Sequence, residues 1–475
     1  MKKYLSISLG IILILFLFIQ NEVGKKDSIL KEFKSIIPEN IKKNLKESLF
    51  VFKNQKILEK RLNDEIKLNK SLQKKINELP ELLGFINFKN HQNIQNFQIG
   101  EEKFELKKFQ TNFLNVSKNS SAKGTSYLEI FNDKLIIANA NGIFSYANIN
   151  DLDNKEFNSK IIKSNIKKII NYDEFFLNTR FGIKDVLIDD ENIYVSFSNQ
   201  LRQNCFNTSI ISAKINLEFL NFKNFYTPQQ CIKIQNEYGE FSAFHAGGRM
   251  VDNLQEIIFS NGEYRFRTHA QNPDNVFGKI LTINKKTKNI NIIALGVRNA
   301  QGLSYDKKKD ILFMTEHGPK GGDEVNMKIK LHSKTVNFGW PISSYGEHYP
   351  HESENKTKSI YKHAPLYKSH KKYGFEEPIK YYVDAVAPSE IIILKNKFLS
   401  NQNYINLLFG TLGNNIANEG QMSLHFLSIN EKMQIIDNKV LGINDRVRDL
   451  IYDDYNNQII LFLETTSSIG VLKRS

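Results

Sequence analysis

The sequence predicts an all-β propeller preceded by an N-terminal membrane anchor and a helical stalk, and three observations predict it. Short runs of alternating apolar and polar residues, punctuated by Asn, Asp and Gly, recur from about residue 125 to the end. No helical crossover pattern interrupts these runs, and the stretch is too long for one sandwich. Ahead of them stand an apolar N-terminal segment and a long region free of glycine and proline.

The N-terminal segment reads as an export signal. Lys2 and Lys3 precede an apolar run from Leu5 to Ile19, interrupted by Ser6, Ser8 and Gly10. At ~1.5 Å per residue this run spans ~22 Å, short against a hydrocarbon core of ~30 Å, which fits a signal h-region and a short anchor alike. The next residues, Gln20-Asn21-Glu22-Val23-Gly24, contain no small-x-small cleavage site. Residues 1–24 are therefore read as an uncleaved signal-anchor. The positive-inside rule decides little, because Lys25 and Lys26 balance Lys2 and Lys3.

Residues 25–85 are expected to form the stalk. Between Pro38 and Pro80 the composition is Lys, Glu, Leu, Ile and Asn, with no glycine or proline. Leu58, Leu62, Leu72, Ile76 and Leu79 fit a heptad seam that Glu65 and Asn69 interrupt. A helix follows, either as a coiled coil or packed through its own apolar face.

Residues 86–475 are expected to hold the propeller. Its strands are predicted at Tyr127–Ile130, Lys134–Ala138, Val186–Ile188, Ile193–Phe197, Glu256–Ser260, Lys279–Ile283, Ile290–Ala294, Glu390–Leu394, Ile405–Phe409 and Gln458–Leu463. Asn-Asp, Asp-Asp-Glu-Asn and Asn-Gly close several of them into hairpins. Cys205 and Cys231 bracket a strand-turn-strand pattern, and in an exported chain such a pair is expected to form a disulfide. The absence of a CxxC excludes a thioredoxin-type site and a zinc ribbon.

Composition narrows the partners. Hydrophobic residues make up 41% and aromatics 11%, enough for a large core. The net charge is +14, half of it within residues 25–80. No stripe of arginine with interleaved aromatics appears, so no nucleic-acid partner is expected.

Polar, glycine-rich clusters carry the chemistry. His245 lies in Phe244-His245-Ala246-Gly247-Gly248-Arg249-Met250, where two glycines allow close approach of backbone, and an imidazole can accept a proton at neutral pH. Gly296-Val297-Arg298-Asn299-Ala300-Gln301-Gly302-Leu303 presents a planar guanidinium fork suited to carboxylates. Glu316-His317-Gly318-Pro319 reads as a tight turn, and Gly-Gly-Asp-Glu-Val-Asn, residues 321–326, carries Glu324 near its centre. Arg446 and Arg448 fall on one strand face by period-two alternation, and two guanidinium groups there need an anion. His348 and His351, in a proline-containing segment, read as an exposed turn rather than a metal site.

Together with Asn337-Phe338-Gly339-Trp340-Pro341, these motifs closely resemble the glucose/sorbosone dehydrogenase family, the quinoprotein sugar dehydrogenases that use pyrroloquinoline quinone (PQQ). The resemblance runs from about Phe181 to Asp449. It implies a six-bladed propeller, with His245 as general base and with Arg298 and Asn299 at the quinone. It further implies Arg446 and Arg448 at the cofactor's carboxylates, and a calcium ion held by the carbonyls of Gly318 and Pro319. Glu324 corresponds to a carboxylate associated with a second calcium in some relatives; a turn-stabilising acidic pair is the other reading. Relatives carry a glutamine where this chain has Arg180, and often a polar residue where it has Phe244. They carry a lysine where it has Leu412-Gly413-Asn414, and Arg180 is the candidate to compensate at the cofactor. The implied activity is oxidation of an aldose by a periplasm-facing enzyme anchored in a bacterial inner membrane, passing electrons to an unidentified acceptor. The alternative is a non-catalytic propeller of the same family that binds carbohydrate or a protein.

Overall fold

The computed structural model describes residues 39–90, 94–99, 101–111, 124–350, 362–395, 398, 404–413, 415 and 418–475. The expected anchor, the start of the stalk, His351 and Asn414 lie outside them. Among the described residues no helix is long and apolar enough to cross a membrane.

One helix, α1 (Glu39–Leu83), occupies the expected stalk. It begins directly after Pro38, continues through Pro80 and ends within the expected bounds of the stalk. The terminator is Gly84, whose φ of +79° closes the helix while its N–H donates to the Pro80 carbonyl. Leu58, Leu62, Leu72 and Leu79 of the heptad seam are exposed in the single chain. The compact β unit begins within this helix, at Gln73, and runs to Ser475.

The β unit is a succession of four-stranded antiparallel meanders. The first comprises Ser126–Phe131, Lys134–Asn139, Phe144–Asn148 and Glu156–Ser164; the second Ile183–Asp189, Asn192–Arg202, Cys205–Lys214 and Lys223–Tyr226. The third comprises Gly247–Asn253, Glu256–Asn261, Lys279–Asn284 and Ile290–Leu295. The fourth comprises Ala300–Asp306, Ile311–Glu316, Asp323–Ile329 and, after a long insertion, Lys380–Tyr382. The fifth comprises Pro388–Leu394, Ile405–Thr411, Ser423–Ile429 and Ile435–Gly442. The last has Val447–Asp453, Gln458–Leu463 and Ser468–Arg474, and it takes its fourth strand, Glu102–Gln110, from the beginning of the unit. All ten predicted strands are present, most of them longer than expected. Local chemistry sets the hairpins: Asn132 and Asp190 take the left-handed conformations that their turns require.

Packing between neighbouring meanders builds the core. Ile405–Thr411 and Gln458–Leu463, the second strands of their meanders, are buried along their whole length because both of their faces are covered. One apolar cluster lies between the first and second meanders, around Phe144, Phe175 and Val195. Corresponding clusters join each following pair, and the cluster of Phe88, Leu128, Phe462 and Val471 joins the last meander to the first. The result is an all-β, propeller-like ring.

Inner strands are also stitched by carboxylates near the axis. Asp449 Oδ2 accepts the Leu128 N–H at 2.6 Å, and Asp185 Oδ2 accepts the Met250 N–H at 2.7 Å. Arg249 sits among them, fully buried, with Nη1 at 2.9 Å from Asp185, 2.7 Å from Glu390 and 2.7 Å from Asp449. Burial of these clustered acids pushes Asp185 up to about 7. The predicted Cys205–Cys231 disulfide is present and ties the second meander's third strand to the segment after its fourth.

Candidate active site

At one end of the ring the loops that lead into the inner strands surround an open cavity of about 560 Å³. The sequence-predicted residues His245, Arg298, Asn299, Gly318, Pro319, Arg446 and Arg448 all line it, although up to 203 positions separate them in the chain. Arg180 and Glu324 do not.

His245 enters from a short 3-10 turn that leads into the third meander. Its Nδ1 lies 2.8 Å from Glu263 Oε1, and its Nε2 lies 3.4 Å from an Arg298 Nη. A carboxylate at Nδ1 favours the tautomer with the proton there and leaves Nε2 as the basic atom. Glu263 is buried; desolvation raises its pKa, while the Arg298 and Arg267 guanidinium groups oppose the rise. Two glycines follow His245 because backbone and side chains crowd this loop. A Cβ on Gly247 would lie 2.8 Å from the Gly262 nitrogen, and one on Gly248 2.2 Å from Lys184 Cβ.

Arg298 is the other member of the pair. Its Nη1 donates to the His317 carbonyl at 2.9 Å, its N–H donates to the Glu316 carboxylate, and its guanidinium lies 5.2 Å from the Trp340 ring centroid. Arg298 Nε is buried without a partner among the described residues. Burial lowers the pKa of this guanidinium, most strongly of all influences on it. Asn299 turns its side chain inward: Oδ1 accepts from the Gly247 N–H and from Gln301 Nε2, both at 3.1 Å, and so fixes the His245 loop.

Arg446 and Arg448 share one carboxylate. Glu464 accepts from Arg448 Nε at 2.6 Å, Arg446 Nε at 3.1 Å and Thr125 Oγ1 at 2.8 Å. Although burial pushes upward, the two arginines hold the Glu464 carboxyl at about 2. Arg446 Nη1 also donates to the Leu412 and Gly413 carbonyls, and Arg448 Nη1 to Gln301 Oε1 at 3.1 Å.

The turn at 316–319 forms the opposite wall. Asp323 Oδ1 accepts the Gly318 N–H at 2.8 Å, and its other oxygen accepts the Val386 and Ala387 N–H groups. His317 is pinned by a 2.9 Å contact from Nε2 to the Pro388 carbonyl; burial lowers it to about 3, so it stays neutral. Backbone carbonyls at such a turn are hard oxygen donors of the kind calcium takes.

Two predicted residues fall elsewhere. Arg180 Nη2 donates to the Phe241 carbonyl at 3.3 Å, and its guanidinium lies 5.3 to 5.8 Å from the rings of Phe181, Phe241 and Phe244. Glu324 lies behind the turn, 3.1 Å from His370 Nε2 and 3.1 Å from Asn326 Nδ2; burial, and after it the Glu324 charge, raise Glu316 to about 8. His348 is not an exposed turn residue: it is half-buried and contacts the Ala364 carbonyl at 3.0 Å.

Sequence reasoning missed Glu263, Glu464 and Lys184. A hairpin brings Glu263 to His245 from 18 positions away, and no spacing rule marks it. Only the paired arginines hinted at Glu464, because they require an anion. Lys184, two residues ahead of the strand predicted at Val186–Ile188, lines the cavity and donates from Nζ to the Arg180 carbonyl at 2.7 Å.

Comparisons with known proteins bear on the family and the fold. A sequence model of the glucose/sorbosone dehydrogenase family matches residues 155–469, about two thirds of the chain. The aldose sugar dehydrogenase YliI of Escherichia coli (strain K12) is 31% identical over 159 residues, covering 30% of this chain and 39% of the relative. The uncharacterized protein slr1608 of Synechocystis is 28% identical over 221 residues, covering 42% of this chain and 48% of the relative. The matches thus span less than half the length of these relatives. The crystal structure of the soluble aldose sugar dehydrogenase from Escherichia coli, in its apo-form, superposes with a TM-score of 0.56 at 19% identity, covering 78% of this chain and 99% of that one.

Proposed function

Because this chain belongs to the glucose/sorbosone dehydrogenase family, we propose that it oxidises an aldose sugar at its anomeric hydroxyl, with PQQ and calcium as cofactors. One observation carries the reading. A histidine braced by a buried carboxylate and facing a buried arginine opens on a cavity walled by cationic groups. We count one propeller blade for each meander, six in all.

The residues fit the cofactor set. Arg298 brings a buried Nε without a protein partner, and the cavity holds more cations than carboxylates. Arg298, Arg446 and Arg448 would hold the quinone and its carboxylates, and the Gly318 and Pro319 carbonyls would hold calcium. When bound, the quinone accepts the two electrons that leave the sugar as a hydride, and calcium polarises its carbonyl oxygen. His245 Nε2 takes the proton of the sugar hydroxyl. Glu263 keeps the imidazole in the required tautomer and stabilises the imidazolium that forms. General-base catalysis of this kind contributes ~10²–10⁴ in rate. Arg298, desolvated and held by the His317 carbonyl, is set to stabilise negative charge developing beside it.

Localisation follows as a proposal. The Cys205–Cys231 disulfide supports an oxidising compartment, and we place the propeller in the periplasm, anchored in the bacterial inner membrane through residues 1–24. Purified protein with calcium should develop a quinone absorbance band on adding PQQ and should oxidise aldoses with an artificial electron acceptor. His245→Ala should abolish turnover with PQQ still bound. No PQQ binding at micromolar concentration overturns the dehydrogenase reading.

One observation favours the second reading, a non-catalytic propeller that binds carbohydrate or a protein. Arg446 and Arg448 already have a shared protein counter-ion in Glu464. Sugar binding without PQQ binding would establish it.

A further inference from the structure

We propose that Lys184 is an anion-binding residue of this site, whose ammonium, together with Arg448, receives a carboxylate of the bound quinone. The inference rests on the PQQ reading above and adds to it a cavity residue that the family resemblance did not name.

The first observation is the place Lys184 is given. It is the second residue of the inner strand Ile183–Asp189, and its half-buried side chain opens on the same cavity as His245, Arg298 and Arg448. Its stem passes over Gly248, where a Cβ would lie 2.2 Å from Lys184 Cβ and 3.0 Å from its Cγ. Glycine at 248, with φ of +108°, is therefore what lets this lysine reach the cavity beside the histidine loop.

The second observation is the charge around it. Lys184 Nζ donates to a backbone carbonyl, that of Arg180, and the charged groups acting on it are the cations Arg448 and Arg180. Among the described residues two carboxylates line the cavity. Glu464 is taken by Arg446, Arg448 and Thr125, and Asp323 by three backbone N–H groups. An ammonium desolvated beside like charge is unfavourable unless an anion joins it. Burial and these neighbours bring its pKa down to about 7. An anion from outside the chain is the group that would complete the site.

The third observation separates Lys184 from Arg180. The Arg180 guanidinium is engaged by the Phe241 carbonyl and three aromatic rings, away from the cavity wall. Arg180 instead contributes its backbone carbonyl, which holds the lysine.

The test measures PQQ binding to full-length protein in calcium buffer by equilibrium dialysis, for wild type, Lys184→Met and Lys184→Arg. Lys184→Met should raise Kd roughly ten- to hundredfold, and Lys184→Arg should restore most of the affinity. The unliganded variants should melt with the wild type. Amine acylation followed by peptide mapping should show Lys184 modified in the unliganded protein and protected by PQQ. If the wild type binds PQQ and Lys184→Met binds equally well, this inference falls and the dehydrogenase reading stands. Lower thermal stability of Lys184→Met with no recovery of binding in Lys184→Arg would make the residue structural and also overturn it. If the wild type binds no PQQ, both fall together.

Discussion

Glu464→Gln separates what the paired arginines do for the fold from what they do for a ligand. Glu464 is buried between Arg446 and Arg448, which hold its carboxyl at about 2 against an ordinary value of 4.5. A carboxyl depressed in the folded state contributes stability that is fully present above its unfolded pKa and is lost as pH falls through the folded one. The gap of ~2.5 pH units, at ~1.36 kcal/mol each, corresponds to ~3 kcal/mol at pH 7. The glutamine variant should therefore unfold at a lower urea concentration at pH 7, by ~3 kcal/mol in the absence of ligand. The deficit should narrow as pH falls from about 4.5 towards 2, where the wild-type carboxyl is itself protonated. Urea titrations at pH 7, 4 and 2.5, followed by intrinsic fluorescence, measure both. A variant as stable as the wild type at pH 7, or a deficit unchanged at pH 2.5, would refute the reasoning. A variant that loses stability yet binds PQQ at least as well would show that the arginines serve the ligand once their internal partner is neutral.

Three further outcomes follow from the geometry. Replacing both Cys205 and Cys231 by Ser opens a loop closed over a sequence separation of 26 and should lower stability by ~3.5 kcal/mol on chain-entropy grounds, read from unfolding midpoints. Arg249→Met leaves Asp185, Glu390 and Asp449 clustered without their cation; a loss of ~3–5 kcal/mol is expected, and a melting temperature equal to the wild type's would contradict it. Glu263→Gln removes the charge that supports an imidazolium at His245. Under the proposed function it should lower kcat at least ~10-fold with PQQ affinity retained, whereas a changed affinity and an intact kcat would assign Glu263 to cofactor binding.

Much of this arrangement was legible in the sequence because the relevant signals are local. Alternation and turn residues marked the strands, and glycine-rich clusters marked the loops that carry His245, Arg298 and the Gly318-Pro319 turn. Three features were not legible, each for a physical reason. Glu263 and Glu464 reach their partners through strand pairing, which brings together residues that no short motif contains. Lys184 is one lysine in a lysine-rich chain, and only the empty Cβ position at Gly248 distinguishes it. Arg249 was visible in the histidine motif, but its role at the axis depends on carboxylates from the second, fifth and last meanders. The guanidinium of Arg180 went the other way: its charge pointed to the cofactor, and the surrounding phenylalanines hold it among their rings instead.

Closure of the ring by Glu102–Gln110 has a kinetic consequence. Ser468–Arg474 pairs along its length with Phe104–Gln110, a register running from Ser468↔Gln110 to Arg474↔Phe104. These partners lie more than 350 positions apart, the widest separation of any ladder among the described residues, so this ladder is favoured to form late. Until it forms, one edge of the early strand stays open to any other extended chain, and the apolar faces of the first and last meanders lack each other. A ribosome or export channel delivering the chain from its N-terminus holds that edge waiting while all the other strands are made. Substitutions along Ser468–Arg474 should therefore show themselves first as aggregation during production, at growth temperatures where the finished ring is still stable.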